Sequence, residues 1–326
     1  MPRLLSLMLM PMTMAISVSF CATAIRPTAP PPDSPPASLW VEPVDLERRD
    51  LFNGPWGAER APDPAAFYTL VHHKHSGINP GMTVRDPLGR EWSVKQPGPD
   101  IPDEGPVEVT LSRVLSALGY HQPPVYYLAS FTLQDEWSTH VEPGGRFRLK
   151  DKSLKDRGTW SWLRNPFVDT TPYRGLLVIL MMFNSSDLRG ANNTLYEYRS
   201  PEGRQHWYVV RDLGGSLGST GRFAPRKNDP DAFEHHPFIT GVRNGFITFH
   251  YQGWHQELVR DRITPEDVAW ACDLLGRLSD RQWQDAFRAG GYHPDVAGRF
   301  IRVLHAKLAI GRRLDSTLEW RTYEAY

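Results

Sequence analysis

Between Leu176 and Phe183 the chain reads Leu-Leu-Val-Ile-Leu-Met-Met-Phe, apolar on every face. A helix of that composition has no solvent side, so it belongs in the middle of a core. At eight residues it is also far too short to cross a bilayer. The predicted helix runs from Gly175 to Asn184, and the residues after Asn184 are aimed from the core outward.

Those residues are Ser185-Ser186-Asp187-Leu188-Arg189-Gly190-Ala191-Asn192-Asn193, an aspartate with an asparagine five positions later. A short strand at Trp207-Tyr208-Val209-Val210 then leads to Asp212-Leu213-Gly214. Phosphoryl-transfer enzymes use such a set: one Asp orients the acceptor hydroxyl, while the Asn and the second Asp hold magnesium against the phosphates. The competing expectation is a helix-ending turn in which Asp187 and Asn192 only satisfy backbone groups.

The chain has 326 residues, 40% hydrophobic and 23% charged, enough to bury a full core and to form one large domain or two lobes. Its formal charge is +0, so no nucleic-acid partner is expected. Residues 1–24 carry one charge, Arg3, then an apolar run from Leu4 to Phe20 broken by Pro11 and closed by Ala22-Thr23-Ala24. That is the pattern of a secretory signal peptide cut after Ala24, and it predicts an exported protein, periplasmic or secreted, without a transmembrane helix after cleavage. Cys21 opens the alternative of a lipoprotein anchor, against which bulky Phe20 argues. Cleavage leaves Cys272, whose helical pattern with Val268, Leu275 and Leu278 marks a small core residue rather than a nucleophile.

Residues 25–39 hold six prolines among Ala, Ser and Thr and predict a stiff, extended linker. Residues 40–66 regain Trp40, Leu46, Leu51 and Trp56 between turn formers, which predicts an irregular arm packed on the folded body. Residues 67–150 predict a β-rich lobe, with strands over Phe67–Val71, Gly81–Arg85, Glu91–Gln96, Val125–Leu133 and Gly145–Leu149. Alternation in Trp92-Ser93-Val94-Lys95 puts Trp92 and Val94 on one face and Lys95 on the other. A helix from Glu108 to Gly119 comes next, with Val107, Leu111, Val114, Leu115 and Leu118 as its apolar stripe. Glu108 sits on its first turn, and Glu104 competes with it as the acid nearest Lys95. The stretch His72-His73-Lys74-His75-Ser76-Gly77-Ile78-Asn79-Pro80-Gly81 has no acidic or cysteine ligand beside its histidines and reads as a solvated turn rather than a metal site.

Residues 151–326 predict a mainly helical lobe. Thr264-Pro265-Glu266-Asp267 starts a helix to Arg277, Ser279-Asp280-Arg281-Gln282 is a capping box for one to Ala289, and Pro294 to Arg313 forms the last. Ser219 to Pro237 is polar and irregular and reads as a substrate loop. No histidine pair has helix-face ligand spacing with an acid between, which argues against a metallohydrolase. Gly214-Gly215-Ser216-Leu217-Gly218 fits the Gly-x-Ser-x-Gly form without assignable acid and histidine partners.

In this order, Val94-Lys95, the Glu108 helix with its Ser112-Arg113 and Leu118-Gly119-Tyr120 ending, the Asp187-to-Asn192 spacing and Asp212-Leu213-Gly214 resemble the atypical protein-kinase-like superfamily. The resemblance is to its bacterial branches related to HipA toxin kinases and CotH spore-coat kinases, and it spans about Phe67 to Arg313. It implies an α+β, two-lobed protein-kinase-like fold with a β-rich N-lobe and a mainly helical C-lobe. It implies that Lys95 contacts nucleotide phosphates, that Glu108 positions Lys95, and that Gly77 lies in the loop covering the phosphates. Asp187 would orient or deprotonate the acceptor, and Asn192 and Asp212 would bind Mg or Mn, with Asn193 an alternative to Asn192. Ser185-Ser186 stand where typical protein kinases have His-Arg, and no glycine-rich loop precedes Lys95.

The function expected on this basis is an ATP- and Mg- or Mn-dependent phosphotransferase acting on a protein or small-molecule hydroxyl outside the cytoplasm, where ATP is scarce. Transfer of another part of a nucleotide is a variant of the same chemistry. The alternative is an exported pseudokinase that binds a partner without catalysis.

Overall fold

The computed structural model describes residues 34–74, 79–98, 102–223 and 225–314. The expected signal peptide, Cys21, most of the proline-rich linker and Gly77 lie outside the described residues. Strand β1 (Ala37–Ser38) opens the described chain, and an irregular arm then buries Leu39, Leu46 and Leu51. The arm is tied down at both ends of its reach: Arg49 Nη1 donates to the Ala117 carbonyl at 2.9 Å, and Gln282 Nε2 to the Leu46 carbonyl at 2.8 Å.

The first lobe consists of β2 (Phe67–His73), β3 (Gly81–Arg85), β4 (Glu91–Lys95), α1 (Gly105–Ala117), β5 (Val125–Gln134) and β6 (Thr139–Leu149). Its five strands close into a barrel in the order β2-β3-β4-β6-β5, sealed where Phe67–Thr69 pairs in parallel with Thr132–Gln134. Closure leaves no free sheet edge to template another chain. Tyr68, Val84, Trp92, Val94, Phe131 and Phe147 fill the interior, as the alternation in β4 predicts. The opposite parity faces out, and there Ser93 pairs with Arg148 and Lys95 with Arg146 across β4 and β6.

Helix α1 packs against β5, β6 and the C-terminal half of the molecule. It begins at Gly105, earlier than predicted, because the Asp103 carboxylate accepts the Gly105 N–H at 2.8 Å and Pro106 occupies the first turn. Burial extends beyond the predicted stripe to Val109, Thr110, Ser112 and Arg113. Arg113 is held in the interior by the carbonyls of Phe52 and Val125 and by the faces of Trp56 and Tyr126.

The second lobe carries β7 (Leu154–Asp156), α2 (Thr171–Met182), β8 (Asn193–Ser200), β9 (Gly203–Val210), α3 (Pro230–Glu234), β10 (Ile239–Arg243), β11 (Phe246–Phe249), α4 (Pro265–Leu275), α5 (Asp280–Ala289) and α6 (Pro294–Arg312). The all-apolar stretch forms α2 and is buried throughout, packed against α4. The capping box at Ser279 and Gln282 forms, and Thr264 with Asp267 makes a second. Cys272 is fully buried, and burial pushes its thiol up to about 12.

The two-lobed α+β architecture is thus the observed one, with more strand in the second lobe than its helical patterns suggest. A sheet of order β1-β9-β8-β7 and the β10-β11 hairpin lie among the helices. Strand β1 corrects one expectation. Ala37 and Ser38, assigned by composition to the linker, pair in parallel with His206 and Trp207 of β9. Short strands of this kind are held by their partners rather than by their own residues, so no local pattern announces them. Among the described residues, no helix is long and apolar enough to cross a membrane.

Candidate active site

Lys95 ends β4 on the outer face of the barrel, where α1 begins. Its Nζ lies 2.5 Å from Glu108 Oε1 and 2.7 Å from Glu104 Oε2, so both acids weighed from the sequence hold it. Burial disfavours its charged form, but the two carboxylates outweigh that and raise its pKa above the usual lysine range. Glu108 is itself shared, its Oε2 accepting from Arg146 Nε at 3.0 Å. Burial alone would raise its pKa; Arg146 and Lys95 instead bring it down to about 2. An ammonium has three N–H donors, and these two carboxylates leave one for a ligand.

The Asp187 loop hangs from the C-terminus of α2. Asn184 takes a left-handed turn at φ +54, and its side chain donates to the Gly218 carbonyl at 2.6 Å. Lys307 of α6, fully buried, donates to both the Met182 carbonyl and Asn184 Oδ1 at 2.9 Å, satisfying a helix end that would otherwise be orphaned. Asp187 emerges half-buried, with both carboxylate oxygens engaged by Arg189 at 2.5 and 2.6 Å. Asn192 Nδ2 donates to the Asp187 carbonyl at 3.2 Å, which folds the loop back on itself. Asn193 is buried with its Nδ2 on the Trp160 carbonyl, so of the paired asparagines Asn192 is the one tied to Asp187.

Asp212 comes after β9 with φ +53, a conformation that costs a non-glycine residue energy and clusters at functional sites. Its carboxylate is exposed and has no hydrogen-bond or ion-pair partner among the described residues. The next residues join the three parts of the site. A β-carbon on Gly214 would lie 2.4 Å from Glu104 Cβ, which brings this segment against the acid holding Lys95. The Gly215 carbonyl accepts the Ser186 N–H at 3.3 Å, and a β-carbon on Gly215 would lie 3.6 Å from Asp187 Cβ. Lys95, Glu104, Glu108, Asp187, Asn192 and Asp212 therefore come together, although 117 positions separate the first from the last in sequence.

Mg usually takes one or two carboxylates together with substrate phosphates and water. The free carboxylate of Asp212 and the amide oxygen of Asn192 suit that role. Among the described residues no cluster of three or more His, Cys, Asp or Glu offers an all-protein cage.

Sequence reasoning missed four cations here. Arg146, Arg148 and Arg211 line the cleft beside Glu108 and Asp212, and Lys227 reaches Glu104 from the second lobe. The alternation Arg146-Phe147-Arg148-Leu149 held a signal for the first two, since buried Phe147 and Leu149 force both arginines to the outer face. Nothing local marks Lys227. A cavity of about 390 Å³ lies elsewhere, between the N-terminal arm, the end of α1 and Trp207, and contains none of the expected site residues.

No family model matches the chain, and no curated protein does. Among solved structures it is similar to the crystal structure of a Helicobacter pylori proinflammatory kinase, CtkA, with TM-score 0.44 and 10% identity, over 76% of this chain and 97% of that chain.

Proposed function

We propose that this chain is a kinase-like phosphotransferase that takes ATP or another nucleotide as donor, uses Mg or Mn, and modifies a hydroxyl of a protein or small molecule. Kinship to the HipA and CotH branches, and export to the periplasm or beyond, belong to the same proposal. The observation that carries it is the Lys95–Glu108 pair at 2.5 Å standing against the segment that joins Asp212 to Asp187. Buried acids fix the ammonium in place, so its remaining donor is pre-oriented toward an anionic oxygen. Asp187 would orient an acceptor hydroxyl and receive its proton at a carboxylate oxygen once Arg189 releases it. Asn192 and Asp212 would hold the divalent ion, which when bound neutralises charge developing on the transferred phosphoryl group.

The test is incubation of the full chain with γ-labelled ATP and Mg or Mn, beside Asp187→Ala and Asp212→Ala. Label transfer is expected from the wild type alone, with metal-dependent nucleotide binding weakened in Asp212→Ala. Equal labelling of all three would sink the assignment. Nucleotide binding without any transfer would favour a pseudokinase-type binding protein.

A further inference from the structure

Glu104 carries a donor set suited to a phosphate group. Lys95 Nζ lies 2.7 Å from its Oε2, Lys227 Nζ lies 2.7 Å from its Oε1, and Asn79 Nδ2 donates to Oε2 at 2.9 Å. The three donors come from the end of β4, the residues just before β3, and the loop between β9 and α3 in the second lobe, and they converge on one carboxylate. Two ammoniums and an amide around paired anionic oxygens are also the donors that a phosphoryl group takes. Lys227 is directed into the cleft by contacts other than its own. Its neighbour Asn228 donates Nδ2 to the Asp103 carbonyl at 3.0 Å and accepts from the Tyr292 hydroxyl at 2.6 Å. Asn79, by contrast, leaves its Oδ1 buried without a partner among the described residues, so the arrangement around Glu104 satisfies it only in part.

The two acids on Lys95 are not held alike. Glu108 lies inside α1 and is fixed a second time by Arg146, itself buried. Glu104 precedes the helix, and its second ammonium, Lys227, is 31% exposed and belongs to a loop of the other lobe. A phosphate oxygen arriving on the free donor of Lys95 stands a few ångströms from both carboxylates, and like charges that close repel. Of the two acids, Glu104 is the one that can yield. We infer that Glu104 stands in for a nucleotide phosphate, and that the nucleotide displaces it and takes over Lys227 and Asn79 as further phosphate-binding residues beside Lys95. Glu108 stays on Lys95 throughout. Glu104 thereby acts as an internal competitor for the cleft, and Lys227 brings the second lobe onto the phosphates. The inference rests on the reading that Lys95 receives a nucleotide phosphate.

The experiment is isothermal titration of the full chain with ATP, inorganic tripolyphosphate and adenosine in the presence of Mg, for the wild type, Glu104→Gln, Lys227→Met and Asp103→Asn. Glu104→Gln is expected to bind ATP and tripolyphosphate about tenfold more tightly than the wild type, because the competing charge is gone. Lys227→Met is expected to bind both about tenfold more weakly, with adenosine affinity unchanged in either variant. Asp103→Asn removes a neighbouring carboxylate whose partners are the Gly105 N–H and the Tyr127 hydroxyl, and binds like the wild type. A wild-type crystal grown with tripolyphosphate should place phosphate oxygens on Lys95 and Lys227 with Glu104 turned away, which decides the matter even if Glu104→Gln fails to fold. The inference is overturned if Glu104→Gln gains no affinity, if Asp103→Asn gains as much, or if Lys227→Met weakens adenosine as much as ATP. It is equally overturned if Glu104 still bridges both lysines in that crystal, or if neither phosphate probe binds any of these proteins. Phosphate binding that tightens in Glu104→Gln without label transfer keeps the inference and removes the transferase reading. Label transfer with no gain in Glu104→Gln does the opposite.

Discussion

Lys227 of the second lobe places its Nζ 2.7 Å from Glu104 Oε1, while the other oxygen of the same carboxylate holds Lys95 at 2.7 Å. One acid thus joins Lys95 at the end of β4 to the loop beyond Gly218. Asn79 Nδ2 donates to Glu104 as well, at 2.9 Å. Lys227 is about one-third exposed, so Lys227→Met should cost only about 1 kcal/mol in urea unfolding. Glu104→Ala strips the partner from three donors and should cost about 3 kcal/mol. Protease cleavage within 219–237 should rise in both variants. Equal stability of the two would contradict the bridging role of Glu104.

Two adjacent glycines should respond differently to the same change. A methyl group on Gly214 meets Glu104 Cβ at 2.4 Å, whereas on Gly215 its nearest neighbour is Asp187 Cβ at 3.6 Å, an ordinary contact. Gly214→Ala should therefore destabilise by about 1–3 kcal/mol and disturb the Asp212 segment, while Gly215→Ala folds like the wild type. Calorimetry on both variants decides. A tolerant Gly214 would mean that the lobes separate more readily than their packing indicates.

Acid should weaken the wild type in part through Glu108. Its folded pKa of about 2 lies below the ordinary 4.5, so its contribution is full above pH 4.5 and is lost as pH falls toward 2. In Glu108→Gln, Arg146 and Lys95 lose a charge partner at neutral pH, and the variant should be less stable there. The stability gap between the two proteins is expected to narrow across that acid window. A gap independent of pH would show that Glu108 is not ionised in the folded state.

Arg189 is half-exposed, and so Arg189→Ala should leave stability within about 0.5 kcal/mol of the wild type. The same change frees both oxygens of Asp187. Label transfer or ATP hydrolysis should rise by up to about fivefold, the factor that corresponds to releasing an exposed pair of about 1 kcal/mol. A loss of activity would instead assign Arg189 a direct part in binding substrate.

The residues by themselves determined the burial of α2, the parity of β4 that sends Trp92 and Val94 inward and Lys95 outward, and the capping of α5, because each arises from periodicity or side-chain chemistry within a few positions. They also singled out Lys95, Glu108, Asp187, Asn192 and Asp212 as candidate site residues. Only the tertiary structure decided that Glu104 and Glu108 share Lys95, that Lys227 arrives from the other lobe, that β1 joins β9, and that Arg148 and Arg211 face one cavity. Those relationships join positions up to 169 residues apart, as with Ala37 and its partner His206 in the neighbouring strand. Local propensity carries no information about such pairs. They are set by which surfaces the buried core brings together when α1 and α2 find their places.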